Sequence, residues 1–253
     1  MVRKFSAVLT AGLLSTMVAG AGALAQDAWS YSGGKGPNNW YQLSPANNLC
    51  RTGKSQSPIN IEGTDPAIMH RLITDYGVSP LALKNNQIRV DMTYAPGSLL
   101  KVGRKNFTLM SMDFHTPAEH QVAGKVFPMS IQFKHRAADG NWAIIETLVK
   151  EGDENLAAQE IWDHLPLEPG QTVKLPKVLV NARDLMPTDK SYYRYMGSLS
   201  TPPCSEGVSW YILKRPIELS KSQIDLIRGI VGGDTARPLQ PRNNRMILDA
   251  RPQ

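Results

Sequence analysis

Between about Ile59 and Leu148 the chain is a run of short segments in which apolar and polar side chains alternate. Residues 87–94 (QIRVDMTY), 109–116 (LMSMDFHT), 128–136 (PMSIQFKHR) and 141–150 (NWAIIETLVK) are each bounded by Gly, Pro, Asn or Asp. A period of two is the pattern of strands with one buried face, so the segment predicts antiparallel sheet. Asp139-Gly140-Asn141 lies between two of these segments and is a hairpin turn signal. Only two stretches have helical spacing. Residues 154–165 carry Leu156, Ile161 and Leu165, and residues 218–233 open on Ser220 with Gln223 three later, a capping-box pattern, and close on Gly232-Gly233. No repeat or low-complexity linker divides the chain. With 42% hydrophobic and 20% charged residues it is a globular α+β chain, not collagen-like, coiled-coil or disordered. One domain dominated by an antiparallel sheet is expected over residues 26–253. An irregular arm after residue 26, pinned by Trp29, Tyr31 and Trp40, leads into it.

Residues 1–25 read as a secretory signal peptide. Arg3 and Lys4 form a positive start, an apolar, small-residue stretch follows, and Ala23-Leu24-Ala25 is an A-x-A cleavage site. The alternative, a membrane anchor, fits poorly with a segment so rich in Gly, Ala, Ser and Thr, and no other stretch reaches 18 apolar residues. The expected location is therefore outside the cytoplasm, periplasmic or secreted, with no membrane span after cleavage. Loss of Arg3 and Lys4 lowers the formal charge from +6 to +4. The remaining cations are not clustered, which argues against nucleic acid as a partner. In an oxidising compartment Cys50 and Cys204 form either a disulfide or two free thiols, and no CxxC or Cys/His cluster suggests redox or structural zinc chemistry.

The five histidines include His115, His120 and His135 around the central strands. Alternate side chains of a strand share a face, so Ser111, Asp113 and His115 point one way and Met112 and Phe114 the other. In the next strand Ser130, Gln132 and Lys134 oppose Ile131, Phe133 and His135. Two neighbouring polar rows then either line a cavity or face solvent.

Several motifs carry a family resemblance: Trp29-Ser30-Tyr31, Gly36-Pro37, residues 56–61 (QSPINI), residues 114–120 (FHTPAEH), residues 192–208 (YYRYMGSLSTPPCSEGV), Trp210, residues 237–241 (RPLQP) and Asn244-Arg245. In this order, across nearly the whole chain, the sequence resembles the α-class carbonic anhydrases of the bacterial exported type. The resemblance implies a large, twisted, mostly antiparallel sheet with a conical cavity and short peripheral helices, a Cys50–Cys204 disulfide, and reversible hydration of CO2 to bicarbonate on zinc. In that family an H-x-H pair and a third histidine hold Zn²⁺, whose bound water has a pKa lowered to about 7. A hydroxyl residue held by a glutamate orients the hydroxide.

The sequence departs from that pattern at its centre. The H-x-H pair becomes Asp113-Phe114-His115, and the third ligand position falls on Gln132. The partners that orient the first and third histidines fall on Ser111 and Ser130, and the proton-shuttle position near Gln87 or Ile88 has no histidine. An apolar pocket position is Lys134, whereas Ile144, Leu199 and Trp210 keep the apolar wall. Ser200 and Glu119 match the hydroxyl–carboxylate pair, with Thr201 next in the chain. Two readings follow. One is a weak metal site of Asp113, His115 and Gln132, an oxygen-rich set that binds zinc less well than three imidazoles. The other is a metal-free pocket in which the Lys134 ammonium pairs with Asp113 near the zinc position. The first gives an active carbonic anhydrase (carbonate dehydratase, a lyase) with CO2 and bicarbonate as substrates. The second gives a carbonic-anhydrase-related protein, weak or inactive, with an unknown ligand or protein partner. His120 is expected as a hydrogen-bonded core residue, His135 facing away from the cavity, and His70 and His164 exposed. A Ser/His/Asp hydrolase built on Ser200 lacks a G-x-S-x-G elbow.

Overall fold

The computed structural model describes Met1 and residues 29–252; the signal segment read from the sequence lies outside the described residues. The structure is built on one 13-stranded sheet. From one edge its main path runs through Thr172–Val180, Ser79–Asn85, Val90–Thr93, Lys105–His115, Met129–Arg136, Trp142–Glu151, Glu206–Leu213, Tyr192–Ser198, Leu248–Pro252 and Asp65–Met69. Most pairings are antiparallel; Trp142–Glu151 runs parallel to Glu206–Leu213, and Leu248–Pro252 parallel to Asp65–Met69. The expected hairpin closes with Ala137 N donating to Asn141 O, and Gly140 takes φ +84°, a left-handed value that glycine adopts without strain.

The sheet's apolar rows pack on one side into the main core. Met112, Phe114, Ile131 and Phe133 are fully buried there, with Trp162, Ile224 and Ile227 of the covering helices. Those helices span Leu156–Trp162 and Lys221–Val231. The capping box of the second is complete: Ser220 Oγ accepts from Gln223 N, the Gln223 side chain accepts from Ser220 N, and Gly232 ends the helix at φ +73°. The first helix is shorter than its spacing implies. It stops at Trp162, leaving Leu165 buried beyond its end, and Leu156 projects into solvent because it sits on the first turn, away from the sheet.

The opposite face of the sheet carries a smaller apolar cluster of Ile59, Ile61, Ile144, Tyr195, Trp210 and Ile212 among others, with Leu199 packed against it. The polar rows lie on this side. Before the sheet, the N-terminal arm forms one-turn helices, and Trp29, Tyr31 and Trp40 pack edge to face at 5.1–5.9 Å between centroids. Cys50 and Cys204 form a disulfide. Over their sequence separation of 154 such a link restricts the unfolded chain by about 5 kcal/mol in the chain-entropy account.

Candidate functional site

Register decides which polar residues meet. The strand Lys105–His115 pairs with Met129–Arg136 so that Asp113 lies opposite Gln132 and His115 opposite Ser130, after an irregularity between Leu109 and Ser111. On its other side Asp113 lies opposite Asp91. Directly opposed carboxylates repel. Arg89, two residues before Asp91 in the chain, relieves that repulsion: its Nε lies 3.1 Å from Asp91 Oδ1 and 3.1 Å from Asp113 Oδ2. Lys134 Nζ donates to Asp113 Oδ2 from the opposite strand, and Ser111 Oγ lies 3.4 Å from Asp113 Oδ1. Asn86 Nδ2 donates to Asp91 Oδ1 at 2.7 Å.

The result is a compact group of two cations and two carboxylates at the centre of the polar face. Burial pushes the Asp113 carboxyl up, but Lys134 and Arg89 outweigh it and hold it well below the usual carboxylate range. Asp91 moves the other way, because burial and the nearby Asp113 charge exceed the help it receives from Arg89. Burial works against the Arg89 guanidinium too, and Asp113 with Asp91 more than compensates.

His115 is fully buried, and its Nδ1 lies 2.8 Å from Thr235 O. Its Nε2 faces Glu119 Oε2 at 4.0 Å, too far for a hydrogen bond. Glu119 Oε2 accepts instead from Gln132 Nε2 at 2.7 Å, and Oε1 accepts from Arg237 N at 3.2 Å. The Ser200 side chain also favours the charged form of Glu119. Burial raises the Glu119 carboxyl, but His115 and these donors outweigh it and lower it overall. Thr201 is buried beside Ser200, its carbonyl accepting from Cys204 N at 2.9 Å. Trp210, Ile144 and Leu199 lie together in the apolar cluster next to this centre, and Trp210 Nε1 donates to Ser198 O at 2.9 Å. Gly197 admits no side chain here: a Cβ would collide with Ser57 Oγ and Trp210 Cδ1.

His120 is a buried core histidine bonded at both ring nitrogens, Nδ1 to Glu146 Oε2 and Nε2 to the Tyr195 hydroxyl at 2.6 Å. His135 lies on the main-core side, where its Nε2 meets the Tyr76 hydroxyl at 2.6 Å. His70 is exposed. His164, expected exposed, is half-buried, because the chain turns back toward the core at Leu165.

Sequence reasoning misses three residues of this region: Arg89, Glu146 and Tyr31. Arg89 and Asp91 are spaced to share a strand face, a visible signal, but only the sheet register brings Asp113 to them. Glu146 lies opposite Gln132 in the pairing of Met129–Arg136 with Trp142–Glu151 and reaches His120 from there. The Tyr31 hydroxyl is buried within the electrostatic reach of Glu119, Arg89 and Asp113.

A single large sheet with two strand-borne polar rows and a Ser200–Glu119 pair beside an apolar wall defines the carbonic anhydrase class of fold. A hyperthermostable carbonic anhydrase from an active hydrothermal vent chimney superposes with a TM-score of 0.86 at 42% identity, over 88% of this chain and 100% of that one. The family profile described as eukaryotic-type carbonic anhydrase matches residues 35–251. The chain belongs to this α-type carbonic anhydrase family. A carbonic anhydrase of Nostoc sp. is 36% identical over 227 residues, 88% of this chain and 86% of that protein. Dioscorin complexed with ascorbate is also similar in structure, with a TM-score of 0.80 at 28% identity over 88% of this chain and 97% of that one.

Proposed function

We propose that this protein is an exported carbonic-anhydrase-related protein whose central site does not work as a zinc centre, so that CO2 hydration is weak or absent and the site serves as a binding pocket. One observation carries the reading: Asp113, at a ligand position of the family, is engaged by Lys134 and Arg89.

The donor set does not fit zinc. A dication placed against Asp113 meets an ammonium and a guanidinium already bonded to that carboxylate. Of the remaining donors His115 is the one imidazole, and Gln132 offers a neutral carbonyl oxygen, a poor ligand for this metal. Among the described residues no group of three His, Cys, Asp or Glu side chains is arranged to hold a metal ion. The parts around the centre still suit a small ligand: Ser200 and Glu119 fix one polar corner, and Ile144, Leu199 and Trp210 supply an apolar wall. The dioscorin structure supports the idea that this fold can hold an organic molecule.

Elemental analysis of protein purified with zinc in the medium, together with a CO2 hydration assay, tests the reading. Expected are substoichiometric zinc and hydration at background. Asp113→His, Gln132→His and Lys134→Val combined should raise zinc uptake toward one per chain, since Arg89 keeps Asp91 as its partner. Stoichiometric zinc on the unaltered protein, with sulfonamide-sensitive hydration lost in His115→Ala, would establish the rival reading of an active enzyme with an Asp113, His115 and Gln132 metal site.

No helix among the described residues is long and apolar enough to cross a membrane. Export rests on the sequence of residues 1–25, and the disulfide is consistent with it. Fractionation of the source cell tests the location: a periplasmic or secreted mature chain beginning near Gln26 is expected, and a cytoplasmic one retaining Met1 would contradict it.

A further inference from the structure

The sheet face away from the centre carries a groove of about 410 Å³, and no residue of the two covering helices lines it. It lies where the strands Glu206–Leu213 and Tyr192–Ser198 pair. Arg194 is directly opposite Tyr211 there, and Met196 directly opposite Ser209. Cross-strand partners share a face, so these four side chains project to one side, and all four line the groove. That side is the main-core side: Tyr211 packs into the main core, whereas Trp210, its neighbour in the chain, packs into the cluster on the opposite face. Lys105 and Phe107 reach the groove from the strand Lys105–His115, and His70 reaches it just past the edge strand Asp65–Met69.

The lining is one-sided in charge. His70, Lys105 and Arg194 are basic, and no Asp or Glu lines the groove. Lys105 has Asp139 Oδ2 at 3.8 Å, a pair largely open to water. Arg194 has no carboxylate partner. Its Nη2 donates to Met196 Sδ at 3.5 Å, and Ser209 Oγ donates to the same sulfur at 3.5 Å. A thioether is a weak acceptor, whereas a guanidinium binds a carboxylate through short, charge-assisted bonds, often two in parallel. Two donors that converge on a sulfur are placed to take a carboxylate in its stead. Beside them Phe107 and Tyr211 supply aromatic surface. An inorganic anion would use the charges and leave the rings uncovered, and a neutral apolar molecule would do the reverse. An organic carboxylate with an apolar body uses both, the usual composition of a small-molecule site.

We propose that this groove is a second binding site, for a small aromatic carboxylate: the carboxylate takes Arg194 and Ser209, Lys105 and His70 hold the site positive, and the ring lies against Phe107 and Tyr211. The site is on the far side of the sheet and does not depend on what occupies the centre. The test titrates the full protein with phenylacetate while methionine methyl resonances are followed; Met196 is assigned by its loss in Met196→Leu. A saturable shift of the Met196 methyl is expected. Phenylacetamide, the uncharged analogue, and acetate, which has no ring, should each bind at least tenfold more weakly. Arg194→Gln should weaken phenylacetate binding about tenfold, in line with the loss of a charge-assisted hydrogen bond. If Arg194→Gln fails to fold, the phenylacetate and phenylacetamide comparison on the unaltered protein decides the point. No saturable Met196 shift, equal binding of phenylacetate and phenylacetamide, or unchanged affinity in a folded Arg194→Gln protein overturns the site. Binding of phenylacetate that leaves the Met196 methyl unmoved lies elsewhere in the molecule and overturns it as well.

Discussion

His115 and His120 are five residues apart, both wholly buried, and they teach different things. His120 is closed in. Glu146 and Tyr195 take its two nitrogens, Ser57 bonds the Tyr195 hydroxyl at 2.7 Å, and the Trp210 ring lies 4.6 Å from its own. His115 is bonded on one side only, to Thr235 O, and its second nitrogen looks toward Glu119 across 4.0 Å. A buried histidine with both ring nitrogens bonded contributes to the fold; one with a nitrogen left over is a candidate for contacting something else. Burial alone does not separate the two cases, and the inventory of partners does.

The comparison can be broken by substitution. His120→Leu leaves the Glu146 carboxylate buried without its partner and should cost about 3–5 kcal/mol, read from the urea midpoint. Lys134→Met removes one of the two cations on Asp113; with Arg89 still in place the loss should be about 3 kcal/mol, smaller if Arg89 shifts fully onto Asp113. His115→Leu removes the hydrogen bond to Thr235 O and should cost about 1 kcal/mol. A His115→Leu penalty as large as that of His120→Leu would mean that the two histidines play the same structural part.

Acid titration gives a second test. Burial pushes His135 down to about 3, whereas an unfolded histidine binds its proton near 6.5. Between these values the unfolded chain holds more protons, so stability is full above about pH 6.5 and falls as the pH drops toward 3. His135→Gln should flatten that slope in urea unfolding measured from pH 7 to 4. Asp113, held low by Lys134 and Arg89, contributes stability that is present above about pH 4 and lost below it. Asp113→Asn should therefore lower stability by a constant amount above about pH 4 and flatten only the more acid limb, and a change of slope confined to pH 5–7 would show that the carboxyl is not held low.

The sequence by itself determines a good part of this protein. Period-two alternation in residues 109–116 and 128–136 separates the polar rows from Met112, Phe114, Ile131 and Phe133, since a strand has only two faces. The capping box at Ser220 and the turn at Asp139-Gly140 are local chemistry and form where the residues place them. Apolar spacing overextends the helix from Leu156, because it does not reveal where a chain leaves the helix to turn inward. The order of the motifs from Trp29 to Arg245 carries the family resemblance, and the places of Asp113 and Gln132 in the two polar rows are facts of the sequence alone. The tertiary structure decides who meets whom: that Asp113 lies between Asp91 and Lys134 with Arg89 bridging, that Glu146 reaches His120 from another strand, and that Tyr31 arrives from the N-terminal arm. Those contacts depend on strand register and on segments dozens of residues apart, which no local pattern encodes, because a strand's alternation fixes its faces but not its neighbours.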